Sequence, residues 1–278
     1  ERLSRVGEVV RVEVPRDISG AELAAKLQRA HFVVASVTPR YSREFFELND
    51  SVVMIVRHGI GYDNIDVAAA EEFGVVVARV PGWREREAVA EHTVALALDA
   101  LRHVARSYIY VRAGRWSERA RFIGRELPNL TVGVVGFGNI GSRVAEIFRR
   151  GFGARVVVYD PYVPPERVRE LGCEYVEKLE ELLTQADIVT LHAALTPETY
   201  HLIGRREFEL TKEGVIIVNT ARGELIDGEA LLEYLQKGKV GAVALDVVEG
   251  EPIGPDHPLL RFENVIVTPH IAAYTYEA

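Results

Sequence analysis

Short runs of β-branched and apolar residues alternate with longer amphipathic stretches through the first eighty residues. Apolar runs at 9–14, 32–35 and 52–56 read as strands, and the amphipathic stretches at 21–29 and 42–48 read as helices. Asn64 is placed to cap a helix that continues through Phe73, Gly74 to end it, and 75–78 to form a further strand. Strand, helix, strand in that order predicts parallel pairing through helical crossovers. A long periodic helix follows over 86–104, with Val89, Val94, Leu96, Leu98 and Leu101 along it; its length between two α/β regions marks it as a domain connector.

From Leu130 a second series begins, with strands predicted at 131–135, 155–159, 188–191, 215–219, 242–246 and 265–268. Six strands with helical crossovers make a doubly wound parallel sheet, so the fold class is α/β. The two halves share that class without sharing side-chain identity, and no low-complexity segment separates them. At the ends, Arg2, Leu3, Val6 and Gly7 resemble the tail of a helix, and the chain stops inside an Ala-Ala-Tyr-Thr-Tyr-Glu run, so both ends are expected to be cut.

Composition narrows the function classes. With 278 residues, 48% of them hydrophobic, the chain has apolar material for two medium domains. A formal charge of −8 excludes a binder of the phosphate backbone, which needs a basic face, so no nucleic-acid partner is expected. Small anionic substrates stay open, because the local field of a cleft can oppose the net charge. No apolar run is long enough to cross a bilayer, so no membrane partner is expected either. Cys173 is the single cysteine and cannot form an intrachain disulfide, and the opening Glu-Arg-Leu-Ser-Arg lacks a hydrophobic leader core. The expected location is the cytoplasm.

The strand at 131–135 runs straight into Gly136-Phe137-Gly138-Asn139-Ile140-Gly141, a helical stretch follows, and the next strand ends at Asp160, 19 residues after Gly141. A glycine triplet alone is a weak signal; strand, turn, helix start and acid in this order are a dinucleotide fingerprint. Gly136 makes the tight turn, Gly138 lets a pyrophosphate approach the backbone, and Gly141 lets the helix pack on the strand. The helix start then offers unpaired N–H groups and the positive end of its dipole. Asp160 can accept both ribose hydroxyls and repels a 2′-phosphate, which favours NAD over NADP. The competing reading, a packing turn with Asp160 as a local cap, requires all four parts to coincide by chance.

In a doubly wound fold, reacting groups lie beyond the carboxyl ends of the strands. There the fourth strand of the second series leads to Thr220, Ala221 and Arg222, the fifth to Asp246 and Glu251, and the sixth to His270. Reduction of a 2-keto acid needs a proton donor for the carbonyl, a cation for the carboxylate, and something to hold the donor charged. His270 supplies the proton near neutrality, Arg222 the bidentate fork, and Glu251 a carboxylate for the far ring nitrogen. Each residue taken singly is more often surface or structure; their shared rim carries the argument. Asp246 stands equally as a support for that site or as an acceptor for the nicotinamide amide. His192 ends the third strand, on the cofactor side, and is a poorer acid–base candidate, while His31, His58, His92, His103, His201 and His257 read as structural or surface. No spacing recommends a metal. In the first half, Arg57, Gly59, Ile60 and Gly61 follow a strand and precede a helix, and their backbone either cradles a substrate carboxylate or only turns the chain.

Taken together, these segments resemble the D-isomer-specific 2-hydroxyacid dehydrogenase family. The likeness spans 57–66, Val80-Pro81-Gly82, Ala90-Glu91-His92-Thr93, 136–141, 191–199, 218–223, 245–252 and 268–272. It implies two Rossmann-like domains with a cleft between them: a discontinuous substrate domain over 1–100 plus 273–278 and an NAD-binding domain over 101–272. It implies hydride transfer between NAD and a small D-2-hydroxy or 2-keto acid, with Arg222 on the substrate, Glu251 paired to catalytic His270, and Asp246 near the nicotinamide. Gly136, Gly138, Asn139, Ile140, Gly141, Asp160, Thr220 and Ala221 complete the cofactor contacts, and Arg57, Gly59, Ile60 and Gly61 the substrate contacts. A homodimer built on the cofactor domain is implied as well. The family pattern also calls for a strand before Glu1 and a helix after Ala278. Residues 83–87 depart from the phosphoglycerate dehydrogenase loop, and Ala35-Ser36 lacks an arginine used near a phosphate, so a phosphorylated substrate is not implied. The alternatives are an NAD-sensing corepressor-like protein on the same fold and an NADP-linked hydroxypyruvate reductase.

Overall fold

The computed structural model describes residues 3–277. Arg2, within the anticipated helix tail, lies outside them. Compactness divides the chain between Gly82 and Trp83, where the sequence reading places the boundary at residue 100.

In the first unit the order is α1 (Gly20–Lys26), β1 (Phe32–Ala35), α2 (Arg43–Leu48), β2 (Met54–Arg57), α3 (Val67–Glu72) and β3 (Val76–Arg79). The strands form a parallel sheet in the order β1-β2-β3. Leu23, Phe45, Phe46 and Ala69 of the helices pack with Val33, Ala35 and Ile55 of the sheet in one apolar core. Ser19 and Glu22 close a reciprocal capping box at the start of α1. Two expectations fail here. Residues 9–14 are no strand: Val9, Val10 and Val12 are exposed and pair with no other strand, and β-branched residues alone do not make one. The cap of α3 is Asp66, whose carboxylate accepts from Ala69 N at 2.9 Å, whereas the Asn64 amide donates to the carbonyls of Ser36 and Pro39.

The second unit opens with α4 (Arg86–Arg102) and α5 (Val104–Arg112). The expected unbroken helix over 86–104 is interrupted at His103, which adopts a left-handed conformation; Asp99 takes Ala105 N on its side chain at 2.7 Å and so restarts the next helix. Nor is α4 a bare connector. Ala90, Val94, Ala97 and Leu101 are buried in the same core as Val132, Val218 and Ala244 of the sheet.

The remaining elements are β4 (Thr131–Val135), α6 (Asn139–Glu146), β5 (Arg155–Tyr159), α7 (Pro165–Glu170), β6 (Glu174–Tyr175), α8 (Leu179–Gln185), β7 (Ile188–Leu191), α9 (Arg205–Leu210), β8 (Val215–Asn219), α10 (Gly228–Gln236), β9 (Val240–Leu245) and β10 (Val265–Val267). All strands pair in parallel in the order β10-β9-β8-β7-β4-β5-β6. Among the described residues the sheet therefore has seven strands rather than six; β6 is a two-residue edge strand too short to announce itself. Every residue of β4, β7 and β8 is buried, because helices cover both faces. Burying each Val, Leu or Ile contributes about 1.5–3 kcal/mol. Sliding any of these strands would sacrifice several such terms at once, so their carboxyl ends are fixed points on which a site can be built. The chain reverses its direction of winding between β4 and β7, the position where doubly wound sheets open a crevice.

Candidate active site

At that switch point β4 ends in Gly136, with φ of 91°, a conformation only glycine takes at no cost. A side chain there would also strike the backbone of His192 and Ala193 at the end of β7, so the turn is drawn tightly against its neighbour. Helix α6 starts at Asn139 with Gly138 at its cap and no side-chain cap. A Cβ at Gly138 would meet nothing within 4 Å, so the backbone there is open to a pyrophosphate, which a helix N-terminus attracts. Asp160, at the end of β5, is buried, and its carboxylate accepts from Phe137 N at 2.6 Å and from Tyr162 N at 2.8 Å. Those two bonds hold the acid against the glycine turn and leave lone pairs on both oxygens, because a carboxylate offers about four acceptor positions. The turn and its acid therefore fit a dinucleotide. They also contain the rival capping contact, to Tyr162.

Next to this turn, His192 bonds Thr190 Oγ1 through Nε2 at 2.9 Å. Desolvation pushes its pKa down to about 3, so the ring stays neutral at any working pH. A ring that does not take up its second proton near neutrality cannot serve as an imidazolium donor there.

Along the other half of the sheet, three neighbouring strand ends carry the candidate reacting groups. His270 and Glu251 are in direct contact: His270 Nδ1 lies 2.5 Å from Glu251 Oε1. Glu251 also accepts from Val248 N at 3.2 Å, which sets its carboxylate on the loop after β9. Both side chains are partly exposed, so the imidazole is fixed at one nitrogen while remaining accessible. His270 itself has φ of 56°, an orientation held by its N–H bonds to Asp246 O at 2.9 Å and Thr268 O at 3.0 Å.

Arg222 follows β8 and is half-buried, with Nη1 donating to Ala221 O at 2.7 Å. Its turn is shaped by Asn219, a fully buried side chain whose Oδ1 accepts from Ala221 N at 3.0 Å and whose amide donates to Arg222 O at 2.8 Å. The next residue, Gly223, sits so close to the backbone of Val248 and Glu249 that a Cβ would overlap it. Thus the turn after β8 and the loop after β9 are pressed together. Thr220 bonds Thr93 of α4 between hydroxyls at 2.7 Å.

Asp246 is 1% exposed and accepts from three protein donors: Thr268 Oγ1 at 2.5 Å and Ile271 N at 3.0 Å on Oδ1, and Ala272 N at 2.8 Å on Oδ2. Of the two roles open for it in the sequence, these contacts favour holding the His270 segment. Sequence reasoning passed over Asn219 and Thr268; an Asn that ends a buried strand just before a turn is the Asx-turn signal that points to the first. It also missed Glu249, which accepts from His201 Nε2 at 2.7 Å and from Gly228 N at 3.1 Å and so ties down the loop bearing Glu251.

In the first unit, taken by itself, Arg57 ends β2 and Gly59, Ile60 and Gly61 lie in the turn after it. The Arg57 guanidinium is buried and donates to His58 O, and Ile60 O accepts from Arg79 Nη1 at 3.1 Å. Among the described residues no three His, Cys, Asp or Glu side chains gather as a metal requires, and no helix is long and apolar enough to cross a membrane.

A doubly wound parallel sheet with a glycine turn and a strand-end acid at its switch point defines a dinucleotide-binding α/β protein of the Rossmann class. Residues 94–272 match the model of the D-isomer specific 2-hydroxyacid dehydrogenase, NAD binding domain. The chain is 43% identical over 276 residues to a D-3-phosphoglycerate dehydrogenase of Methanocaldococcus jannaschii, covering 99% of this chain and 51% of that one. It is 40% identical over 248 residues to a glyoxylate reductase of Korarchaeum cryptofilum, covering 88% and 74%. Its fold matches that of D-lactate dehydrogenase from Aquifex aeolicus, solved with NAD and lactic acid, with a TM-score of 0.83 at 34% identity over 91% of this chain and 80% of that one. The chain spans about half the length of the phosphoglycerate dehydrogenases it matches. It belongs to the D-isomer specific 2-hydroxyacid dehydrogenase family.

Proposed function

We propose that this protein transfers a hydride between NAD and a small D-2-hydroxy acid, or its 2-keto acid in reverse. The observation that carries the reading is the Glu251–His270 contact of 2.5 Å on the same sheet rim as Arg222. The turn from Gly136 to Gly141 and Asp160 would hold NAD, which would supply or accept the hydride when bound. In the reducing direction His270 gives its Nε2 proton to the substrate carbonyl oxygen, while Glu251 on Nδ1 fixes the tautomer and stabilises the imidazolium. Arg222 grips the carboxylate with its fork and sets the carbonyl carbon for attack. In oxidation the same Nε2, unprotonated, takes the hydroxyl proton. Thr220 and Ala221 are assigned to the cofactor. Backbone groups at Gly59, Ile60 and Gly61, with Arg57, are assigned to the substrate carboxylate. We place the protein in the cytoplasm, since a single cysteine asks for no oxidising compartment. A homodimer is included in the reading, supported by the exposed apolar side chains of α5, Val104, Tyr108, Ile109 and Val111.

The test is loss of NADH absorbance over a panel of glyoxylate, pyruvate, hydroxypyruvate and its phosphate, with NADPH in parallel. Turnover of at least one acid with NADH is the expected result. No turnover of any of them, with NADH still bound, would overturn the reading.

A further inference from the structure

One histidine away from the reacting pair is built into the same site. His92 lies on α4, its ring only partly exposed, and its Nε2 is 3.0 Å from Thr268 Oγ1 and 3.4 Å from Asp246 Oδ1. Thr268 stands two residues before His270, and its hydroxyl is 2.5 Å from Asp246 Oδ1. Asp246 in turn accepts Ile271 N and Ala272 N, one on each oxygen, and its carbonyl accepts His270 N.

These contacts have a direction. A hydroxyl carries one proton and a carboxylate oxygen only accepts, so the Thr268 proton lies toward Asp246. The lone pairs of Thr268 Oγ1 then face His92, which must present a proton on Nε2. The chain of bonds therefore runs from His92 to Thr268 to Asp246 and ends on the backbone of 270–272. Without Thr268 and His92 on its Oδ1 side, the buried Asp246 carboxylate would be free to turn away from one of its amides, next to the left-handed backbone at His270.

We propose that His92 is a positioning residue for His270, acting through Thr268 and Asp246 to hold the backbone that aims the imidazole. The proposal rests on His270 being the proton donor, but the restraint itself exists without substrate or cofactor. It is therefore measured separately, by hydrogen exchange at the Ile271 and Ala272 amides in the cofactor-free protein. His92→Leu removes the donor, Thr268→Val removes the relay at nearly constant shape, and His92→Gln keeps an N–H at a similar reach.

His92→Leu and Thr268→Val are expected to speed exchange at both amides by about 10-fold while the thermal midpoint and exchange in β4 and β8 stay unchanged. Reduction kcat should fall by about 10-fold, a modest misplacement of a reacting group, with NADH affinity within about twofold of the parent. His92→Gln should restore most of both. Unchanged exchange at Ile271 and Ala272 in either disruptive variant would sink the proposal, as would a glutamine variant no better than the leucine one. Should one variant fail to fold, the other decides. A parent protein that reduces no 2-keto acid would count against the proposed function alone, since the exchange measurement still judges the restraint.

Discussion

A histidine bonded at one nitrogen to a carboxylate has a single task left for the other, and this decides what each substitution should do. His270→Ala removes the proposed proton donor and should lower kcat in both directions by about 10²- to 10⁴-fold, leaving NADH binding nearly intact because the glycine turn and Asp160 lie elsewhere on the sheet. Glu251→Gln keeps the shape of the pair and removes its charge. A charge-assisted hydrogen bond is about twice as strong as a neutral one, so the ring is held less firmly and reduction kcat should fall by about 10-fold with NADH affinity unchanged. A glutamine variant with the parent's kcat would dissolve the proposed dyad. Arg222→Lys retains charge without the fork, so KM for keto acids should rise steeply with little change in NADH affinity; an unmoved KM would reassign Arg222 to structure. Asp160→Ser should narrow the preference for NADH over NADPH in a binding titration, and equal affinity of the parent for both would reject that residue as the selector.

What these residues share is delivery by strands that cannot move, and the loops between them are packed as closely as the strands. Gly223→Ala would push a methyl group into the backbone of Val248 and Glu249. Overpacking of this kind costs about 1–3 kcal/mol, so the unfolding midpoint should fall by several degrees and kcat/KM with it, because the loops of Arg222 and Glu251 are forced apart. A variant with parental stability and activity would show that this approach tolerates a side chain. The same contrast explains how much was readable beforehand. β4, β5, β7 and β8 lie within the predicted limits, since an uninterrupted apolar run is what burial on both faces demands. Residues 9–14 are also rich in valine, though broken by Arg11 and Glu13, and have no strand to pair with; pairing is nonlocal information. The cap at Asp66, the break at His103 and the two-residue β6 were likewise set by contacts that spacing does not encode. For the site, position after a strand picked out Arg222, Glu251 and His270 as candidates and Asn219 carried a local turn signal, while Thr268 and Glu249 meet partners distant in sequence and left little local trace.

At the scale of the whole molecule, the division after Gly82 assigns α4 to the sheet it packs on. Helix α5, by contrast, has one anchored side and one bare one. Tyr110 is buried, edge-on to Phe122 and bonded to Glu263, whereas Tyr108 and Ile109 are 59% and 62% exposed. Leaving such side chains in water forfeits roughly 1.5–3 kcal/mol apiece, and with Trp116 just beyond them they make a surface that a second copy of the chain would cover. A twofold interface brings each patch residue into contact region twice, so one charge added to the chain becomes two facing charges in the dimer. Ile109→Glu is therefore expected to convert a dimeric parent to monomer in sedimentation equilibrium, with its far-ultraviolet circular dichroism unchanged because the replaced side chain packs against nothing inside. A variant that keeps the dimer mass would move the contact away from α5, and a parent that sediments as a monomer would remove the dimer from the proposed function.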